Sequence, residues 1–188
     1  TNTVQEFSAL GGTAVVMDAN TSELVAMVSL PDFDPNRPVE MLGEAGFNRA
    51  TKGVYEMGST FKLLTAAMAL DSGVVAISGG YDASKPMRVA RFSITDYHAK
   101  NRWLSVPEIL IYSSNIGAAK MALDVGTKAQ QTYLGRLGLL RPSPVELPEV
   151  GHPLVPSPWR EISTVTVSYG HGLSVSPVQL ANAIATTV

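Results

Sequence analysis

Ser59 and Lys62 are the two residues of this sequence whose types and spacing best suit nucleophilic catalysis. They stand three positions apart in Ser59-Thr60-Phe61-Lys62, and residues three apart on a helix share one face, with Cβ atoms about 5–6 Å apart. A serine hydroxyl is a weak nucleophile at neutral pH, and a desolvated lysine has a pKa low enough to take its proton. The motif therefore predicts a serine nucleophile with a lysine base. At a helix N-terminus, unpaired backbone N–H groups can also stabilise a developing oxyanion.

The alternative is that Ser59 only caps a helix while Lys62 extends its amine to water. Short motifs of this kind also arise by chance. The surroundings favour catalysis, because Lys62 is the only charged residue between Glu56 and Asp71. A helix without a polar face gives this lysine no route to solvent, and an unpaired buried lysine is costly.

Ser113-Ser114-Asn115 is the second candidate, at the boundary between two predicted helices. A Ser-x-Asn turn can aim a hydroxyl and a carboxamide into one cleft. The hydroxyl of Ser113 would relay a proton, and the carboxamide of Asn115 would bind a substrate amide. The alternative is capping, since serine and asparagine are ordinary helix-boundary residues.

The elements that must position these residues begin with two β-rich runs, at residues 13–18 and 23–29. The small polar residues between them predict a hairpin. Both runs are nearly all apolar, which predicts a sheet covered on both faces. A long irregular connection is expected from Pro31 to Glu56. A central apolar helix is expected from Ser59 to Ser72, with Gly73 as its stop.

Capping-box sequences mark the starts of three later helices. They are Ser105 with Glu108, Thr127 with Gln130, and Ser176 with Gln179. A further helix is predicted over residues 114–125, a Pro-rich loop over 141–158, and a turn at Tyr169-Gly170-His171-Gly172.

Composition excludes several classes of function. A net charge of −2 with 14 scattered Lys and Arg residues gives no basic surface for nucleic acid. The absence of cysteine excludes disulfides and thiolate catalysis. No metal-ligand spacing stands out, so neither a metal nor a cofactor is expected. The three histidines, His98, His152 and His171, lie in loop-like segments without an evident acidic partner, which argues against histidine catalysis.

The order of the two serine motifs, about fifty residues apart, resembles penicillin-binding proteins, whose signature is S-x-x-K followed by S-x-N and K-T-G. Other segments resemble the class B members in the same order. These segments are residues 12–18, 24–29, 31–36, 48–51, 55–62, 168–173 and 177–180. The similarity covers nearly the whole chain, and the residues around Ser59 and Tyr169 favour the septal, cell-division type.

This resemblance implies an α+β fold, in which a hairpin of a central antiparallel sheet and a mostly helical segment surround a buried nucleophile helix. It implies a D,D-transpeptidase that cross-links peptidoglycan stem peptides outside the cytoplasm, in the periplasm, and that β-lactam antibiotics acylate. Ser59 would be the nucleophile, Lys62 its base, Ser113 the proton shuttle and Asn115 a contact to the substrate amide. Divisome membrane proteins are implied partners, and an N-terminal anchor to the inner membrane is expected outside this sequence.

The sequence departs from the family in one important respect. No lysine of the chain begins a Lys-Thr-Gly or Lys-Ser-Gly triplet, and Gly126-Thr127-Lys128 runs in the opposite order. Residues 1–188 are therefore interpreted as an incomplete transpeptidase domain, weakly active or inactive alone. Later strands of the sheet would also be missing, which predicts self-association through an unpaired hairpin edge. Met57 stands where many relatives have proline, a mild change.

Two rival interpretations remain open. A serine β-lactamase or penicillin-sensing receptor shares the Ser-x-x-Lys chemistry but differs in how fast the acyl-enzyme hydrolyses, and no deacylating glutamate can be assigned. A non-catalytic interaction module with the same fold would form no covalent adduct at all.

Overall fold

The computed structural model describes residues 2–188, which form seven α-helices and eight short strands. In chain order these are α1 (Asn2–Glu6), β1 (Gly12–Met17), β2 (Leu24–Leu30), β3 (Tyr55–Glu56), α2 (Phe61–Asp71), β4 (Gly80–Asp82), β5 (Met87–Val89), β6 (Phe92–Ile94), β7 (Trp103–Ser105), α3 (Val106–Ile111), α4 (Asn115–Val125), α5 (Thr127–Arg136), α6 (Glu161–Val167), β8 (Ser174–Val175) and α7 (Pro177–Ala185). Single 3-10 turns lie at Pro38–Leu42, Glu44–Gly46 and Gly58–Thr60.

The chain divides into two compact units. The first contains the residues up to Tyr55, together with Leu137–Leu154 and Val175–Val188. The second contains Glu56–Arg136 and Val155–Ser174, and it holds all four residues predicted to form the site.

The first unit is built on the predicted hairpin, which is confirmed to within about a residue at each end. Strands β1 and β2 pair antiparallel, with Thr13 opposite Ser29 and Val15 opposite Met27. Helix α7 packs against β1. The expectation that both faces would be covered is wrong for the described residues, since Val16, Val25 and Val28 are 47–68% exposed.

The predicted irregular connection after β2 is also confirmed up to Val54, because the chain from Pro31 to Val54 contains only turns, bends and two 3-10 segments, and β3 takes the last two residues of the predicted range. Its end is held by residues from the Pro-rich loop, which the structure likewise leaves without regular helix. Asn48 donates to the Glu149 carboxylate at 3.0 Å, and the Thr51 hydroxyl donates to the Glu149 carbonyl at 2.7 Å. These bonds satisfy polar groups of a segment that has no ladder of its own.

The second unit surrounds α2, the predicted central helix. The helix begins at Phe61 and not at Ser59, because residues 58–60 form a tighter 3-10 turn before it. Its packing partners include α4 and α3, and α6 packs on α4. The apolar core of this unit is Ala66, Ala69, Ala83, Val89, Ile94, Leu104, Val106, Ile109, Ile116, Ala119, Met121 and Val165.

Two of the three predicted capping boxes are confirmed, those of Ser105 with Glu108 and of Ser176 with Gln179. The predicted box of Thr127 with Gln130 is wrong. The Thr127 hydroxyl bonds the Thr164 hydroxyl at 2.8 Å, and the Gln130 carboxamide donates to the Thr164 carbonyl at 3.0 Å. Both side chains are thus used for tertiary contacts with α6, a helix that the sequence patterns did not reveal.

Candidate active site

The nucleophile candidate lies in the 3-10 turn that leads into α2. Gly58 has a φ of +58°, a conformation that glycine adopts without steric cost, and Ser59 follows it with an exposed side chain. One turn later, the Lys62 amine donates to the Ser59 hydroxyl oxygen at 3.1 Å. The contact predicted from the spacing of three residues is therefore present.

The turn between α3 and α4 brings Ser113 to the same point. The Ser113 hydroxyl donates to the Ser59 hydroxyl at 3.0 Å, and the Lys62 amine donates to the Ser113 hydroxyl at 2.8 Å and to its carbonyl at 2.7 Å. Ser113 has a φ of +54°, which is unusual for a residue with a side chain. Such strain is typical of functional sites and persists only where the surroundings hold the backbone.

Lys62 is the buried member of this serine–lysine cluster, defined by Ser59, Lys62 and Ser113. The residue is only 2% exposed, and its contacts to the two serines use all three N–H donors of an ammonium group. Burial lowers the pKa of Lys62 to about 8, against a smaller opposite effect from the negative charge of Asp96. A neutral amine is therefore accessible near physiological pH, and its lone pair can accept the Ser59 proton.

Asn115, the fourth predicted residue, is not bonded to the serine–lysine cluster in this structure. It is the first residue of α4, and its side-chain N–H donates to the Thr95 carbonyl at 3.1 Å. The side chain is therefore held in place two residues from Ser113, at the start of the helix that α2 packs against.

Asp96 is a residue of the site that sequence reasoning missed. It follows β6, and its carboxylate accepts hydrogen bonds from the Ser114 hydroxyl at 2.7 Å and from the Ile116 backbone N–H at 2.9 Å. Its partners lie 18 and 20 residues further along the chain. No helical or strand spacing links such positions, so the sequence contained no local signal for this contact.

The predicted turn at Tyr169-Gly170-His171-Gly172 is confirmed, and it packs against the segment just before Ser59. The Gly58 N–H donates to the Gly170 carbonyl at 3.1 Å, and the Gly172 N–H donates to the Glu56 carboxylate at 2.6 Å. Gly170 has a φ of +81°, and a Cβ atom there would overlap backbone atoms of Gly58.

Replacing Gly170 with alanine is therefore expected to destabilise the fold by at least about 2 kcal/mol, because a left-handed backbone cost adds to a clash with a backbone that cannot easily yield. Gly73→Ala is the matched control, since Gly73 has a φ of +72° but open space around its Cβ position. Urea unfolding of both variants measures the difference. Equal losses of unfolding free energy in the two variants would mean that the close approach of Gly170 to Gly58 adds nothing to the cost of the Gly170→Ala substitution.

No histidine joins the cluster within residues 2–188. His98 packs edge-on against Tyr97, and His171 lies 4.0 Å from the Glu56 carboxylate, beyond hydrogen-bond distance. His171 thus has an acidic neighbour that the sequence did not indicate. The described residues also contain no group of three or more His, Asp or Glu side chains arranged to hold a metal ion. None of the helices described is both long and apolar enough to cross a bilayer.

Residues 12–188 match the model of the penicillin binding protein transpeptidase domain. The chain therefore belongs to this family, as its motifs predicted. It is 39% identical over 96% of its length to the "Probable peptidoglycan D,D-transpeptidase FtsI" of Caulobacter vibrioides, and 35% identical over 98% to the peptidoglycan D,D-transpeptidase FtsI of Escherichia coli K12. These matches confirm the predicted class B, septal type.

The solved structures that resemble the chain confirm the predicted fold. The transpeptidase (TP) domain of penicillin-binding protein 3 from Burkholderia pseudomallei matches with a TM-score of 0.85 and 31% identity, covering 98% of this chain and 52% of that one. A peptidoglycan glycosyltransferase from Burkholderia ambifaria gives the same score and identity, with 55% of that chain covered. Against the two FtsI relatives, the chain spans about a third of their length, 31% and 32%.

Proposed function

We propose that this chain carries the acylation centre of a septal peptidoglycan D,D-transpeptidase, with D-alanyl-D-alanine stem peptides as substrates and β-lactams as covalent inhibitors. The observation that carries the proposal is the buried Lys62 amine, which lies within 3.1 Å of the Ser59 hydroxyl and 2.8 Å of the Ser113 hydroxyl. Such a nucleophile with an adjacent base is the arrangement that acyl transfer requires.

In the proposed reaction, neutral Lys62 takes the proton of Ser59 as the serine oxygen attacks the carbonyl between the two D-alanines. The new C–O bond forms an acyl-enzyme, and the C–N bond to the terminal D-alanine breaks. Ser113 donates its proton to the leaving amine and is reprotonated by Lys62, whose amine contacts both hydroxyls. The amine of a second stem peptide then attacks the ester carbonyl and loses a proton to Lys62, the ester C–O bond breaks as the cross-link forms, and Lys62 returns the proton to Ser59.

Asn115 is proposed to bind an amide of the stem peptide. Its side-chain N–H already donates to the Thr95 carbonyl, which leaves the carboxamide oxygen to accept a substrate N–H. The absence of a Lys-Thr-Gly triplet from the sequence favours a domain that is incomplete over residues 1–188 and weakly active alone. Because peptidoglycan is cross-linked outside the cytoplasm, the protein is proposed to act there, with divisome membrane proteins as partners.

The test is the intact mass of the chain after incubation with benzylpenicillin, followed by peptide mapping. One penicilloyl group on Ser59 that persists for many minutes would support a transpeptidase. Rapid loss of the adduct with turnover of penicillin would favour the β-lactamase alternative. No adduct on this chain calls for the same test on the longest available form of the protein, and no adduct there would favour a non-catalytic module.

Self-association through the hairpin is a further part of the proposal. Within residues 2–188, β1 and β2 pair only with each other, so each strand has an open edge, and Val25 is 68% exposed. Open strand edges are templates for pairing with another chain. We expect concentration-dependent dimers in sedimentation that Val25→Lys weakens at least tenfold, whereas Val39→Lys, at a site 72% exposed outside the hairpin, leaves them unchanged. A chain that stays monomeric at millimolar concentration would contradict this.

A further inference from the structure

Asp96 is the charged residue beside the serine–lysine cluster to which the proposed reaction assigns no role. It is partly buried in the connection between β6 and β7. Both of its carboxylate oxygens accept hydrogen bonds from the segment that carries Ser113 and Asn115. The two bonds hold this segment strongly, because a charge-assisted hydrogen bond is stronger than a neutral one.

The two bonds clamp the start of α4. Ser114 is the N-cap of this helix, and its hydroxyl accepts from the Gly117 N–H at 3.0 Å while donating to Asp96 at 2.7 Å. The second carboxylate oxygen takes the Ile116 N–H, one of the donors that a helix N-terminus leaves unpaired. Ser113, with its positive φ, directly precedes this clamped residue, so the clamp opposes relaxation of the strained backbone.

The charge of Asp96 also acts on Lys62. Three uncharged oxygens face the Lys62 amine. They are the Ser59 hydroxyl, from the turn before α2, and the hydroxyl and carbonyl of Ser113, from the turn before α4. Tyr169 lies on the segment after α6, and this segment contacts α2 because the Ser168 carbonyl accepts a hydrogen bond from the Thr65 hydroxyl. Burial raises the pKa of the Tyr169 phenol, which keeps it neutral. Among the residues described, Asp96 is the charged group that acts on Lys62, and it raises the pKa of the amine against the effect of burial.

We propose that Asp96 is a positioning residue of the serine–lysine centre, which fixes the turn carrying Ser113 and balances the charge of Lys62 through the same carboxylate. The inference rests on the proposed function for its catalytic meaning, although both effects can be measured without catalysis. Asp96 would thereby set the pH range in which Lys62 is neutral while keeping Ser113 within reach of both partners.

Asp96→Asn separates the charge from the clamp, because asparagine keeps the size and one acceptor oxygen. Its matched control is Asp82→Asn, which removes the same charge from an exposed carboxylate that bonds only the Ser84 turn and serves no part of the cluster. The titration of the Lys62 side chain can be followed by NMR of 13C-labelled lysine, with the signal identified by its loss in Lys62→Met. We expect Asp96→Asn to lower the titration midpoint by about half a unit or more, and Asp82→Asn to leave it in place. An unchanged midpoint in Asp96→Asn would overturn the role of the charge.

Asp96→Ala removes the clamp as well. The Ile116 amide is expected to exchange with deuterium at least about tenfold faster in Asp96→Ala than in Asp96→Asn, since only the asparagine can still accept that N–H. At high pH, Lys62 is neutral in every variant. The rate of acylation by penicillin there should be lower in Asp96→Ala than in Asp96→Asn. Equal exchange rates in the two variants would overturn the clamp.

The outcomes separate this inference from the proposed function. Failure of the longest available form of the protein to form any penicillin adduct would contradict the proposed function, and the Lys62 titration and Ile116 exchange would still test the role of Asp96. Normal acylation of the unmodified protein, with the Lys62 midpoint and the Ile116 exchange rate unchanged in the Asp96 variants, would contradict only the role of Asp96.

Discussion

Replacing Ser59 with alanine is expected to abolish covalent labelling by penicillin, with no penicilloyl adduct detectable at any time or concentration. The physical reason is that the Ser59 hydroxyl, which accepts hydrogen bonds from both the Lys62 amine and the Ser113 hydroxyl, supplies the attacking oxygen of the proposed reaction. Loss of a nucleophile in an acyl-transfer centre costs on the order of 10⁶ in rate, because neighbouring groups have nothing left to activate. Intact mass spectrometry measures the adduct directly.

Ser93→Ala is the matched control for this variant. Ser93 lies in β6 of the same unit, is exposed, and has no side-chain hydrogen bond to the described residues. Its adduct should form at the unmodified rate, and both variants should keep the circular dichroism spectrum of the original chain. Labelling of Ser59→Ala at another serine would show that the nucleophile has been misassigned.

Replacing Lys62 with methionine is expected to lower the rate of acylation by roughly 10³-fold or more, within the range known for loss of a positioned base or a triad member. Methionine keeps the length and apolar character of the buried stem but cannot accept a proton. Stopped-flow acylation with a chromogenic cephalosporin gives the rate. Lys128→Met, at an exposed position of α5, makes the same chemical change away from the site and should leave the rate unaltered.

The pH dependence of acylation provides a second signature of Lys62. Because burial lowers the pKa of Lys62 to about 8, the neutral fraction of the amine is small at pH 6, about half at pH 8 and nearly complete at pH 9.5. The rate should therefore rise about tenfold per pH unit below this pKa and level off above it. In Lys62→Met the profile should be flat. A rise that persists in Lys62→Met would assign the titrating group elsewhere.

How much could be predicted from the sequence depended on how far apart the interacting residues are along the chain. Ser59 and Lys62 are one helical turn apart, and Ser105 and Glu108 form a capping box, so local geometry alone related them. Thr127 and Gln130 have the same spacing, yet α6 offered their side chains buried partners that a pattern of four residues cannot represent. Local rules fail where a tertiary contact competes for the same atoms.

The apolar runs of β1 and β2 show a related limit. They correctly predicted strands, since period and β-propensity are local properties. They did not determine which faces become covered, because coverage depends on what else packs on the sheet, and Val16, Val25 and Val28 remain exposed among the described residues.

The sequence by itself determined the family, the contact between Ser59 and Lys62, and the helix boundary that carries Ser113 and Asn115, because these depend on residue types at short, fixed spacings. Only the tertiary structure decided that Ser113 approaches Ser59 to 3.0 Å, that Lys62 is buried with a lowered pKa, and that Asp96 accepts a hydrogen bond from the Ser114 hydroxyl. Those features join segments 18 to 54 residues apart, and such contacts form only when the packing of the whole unit brings the segments together.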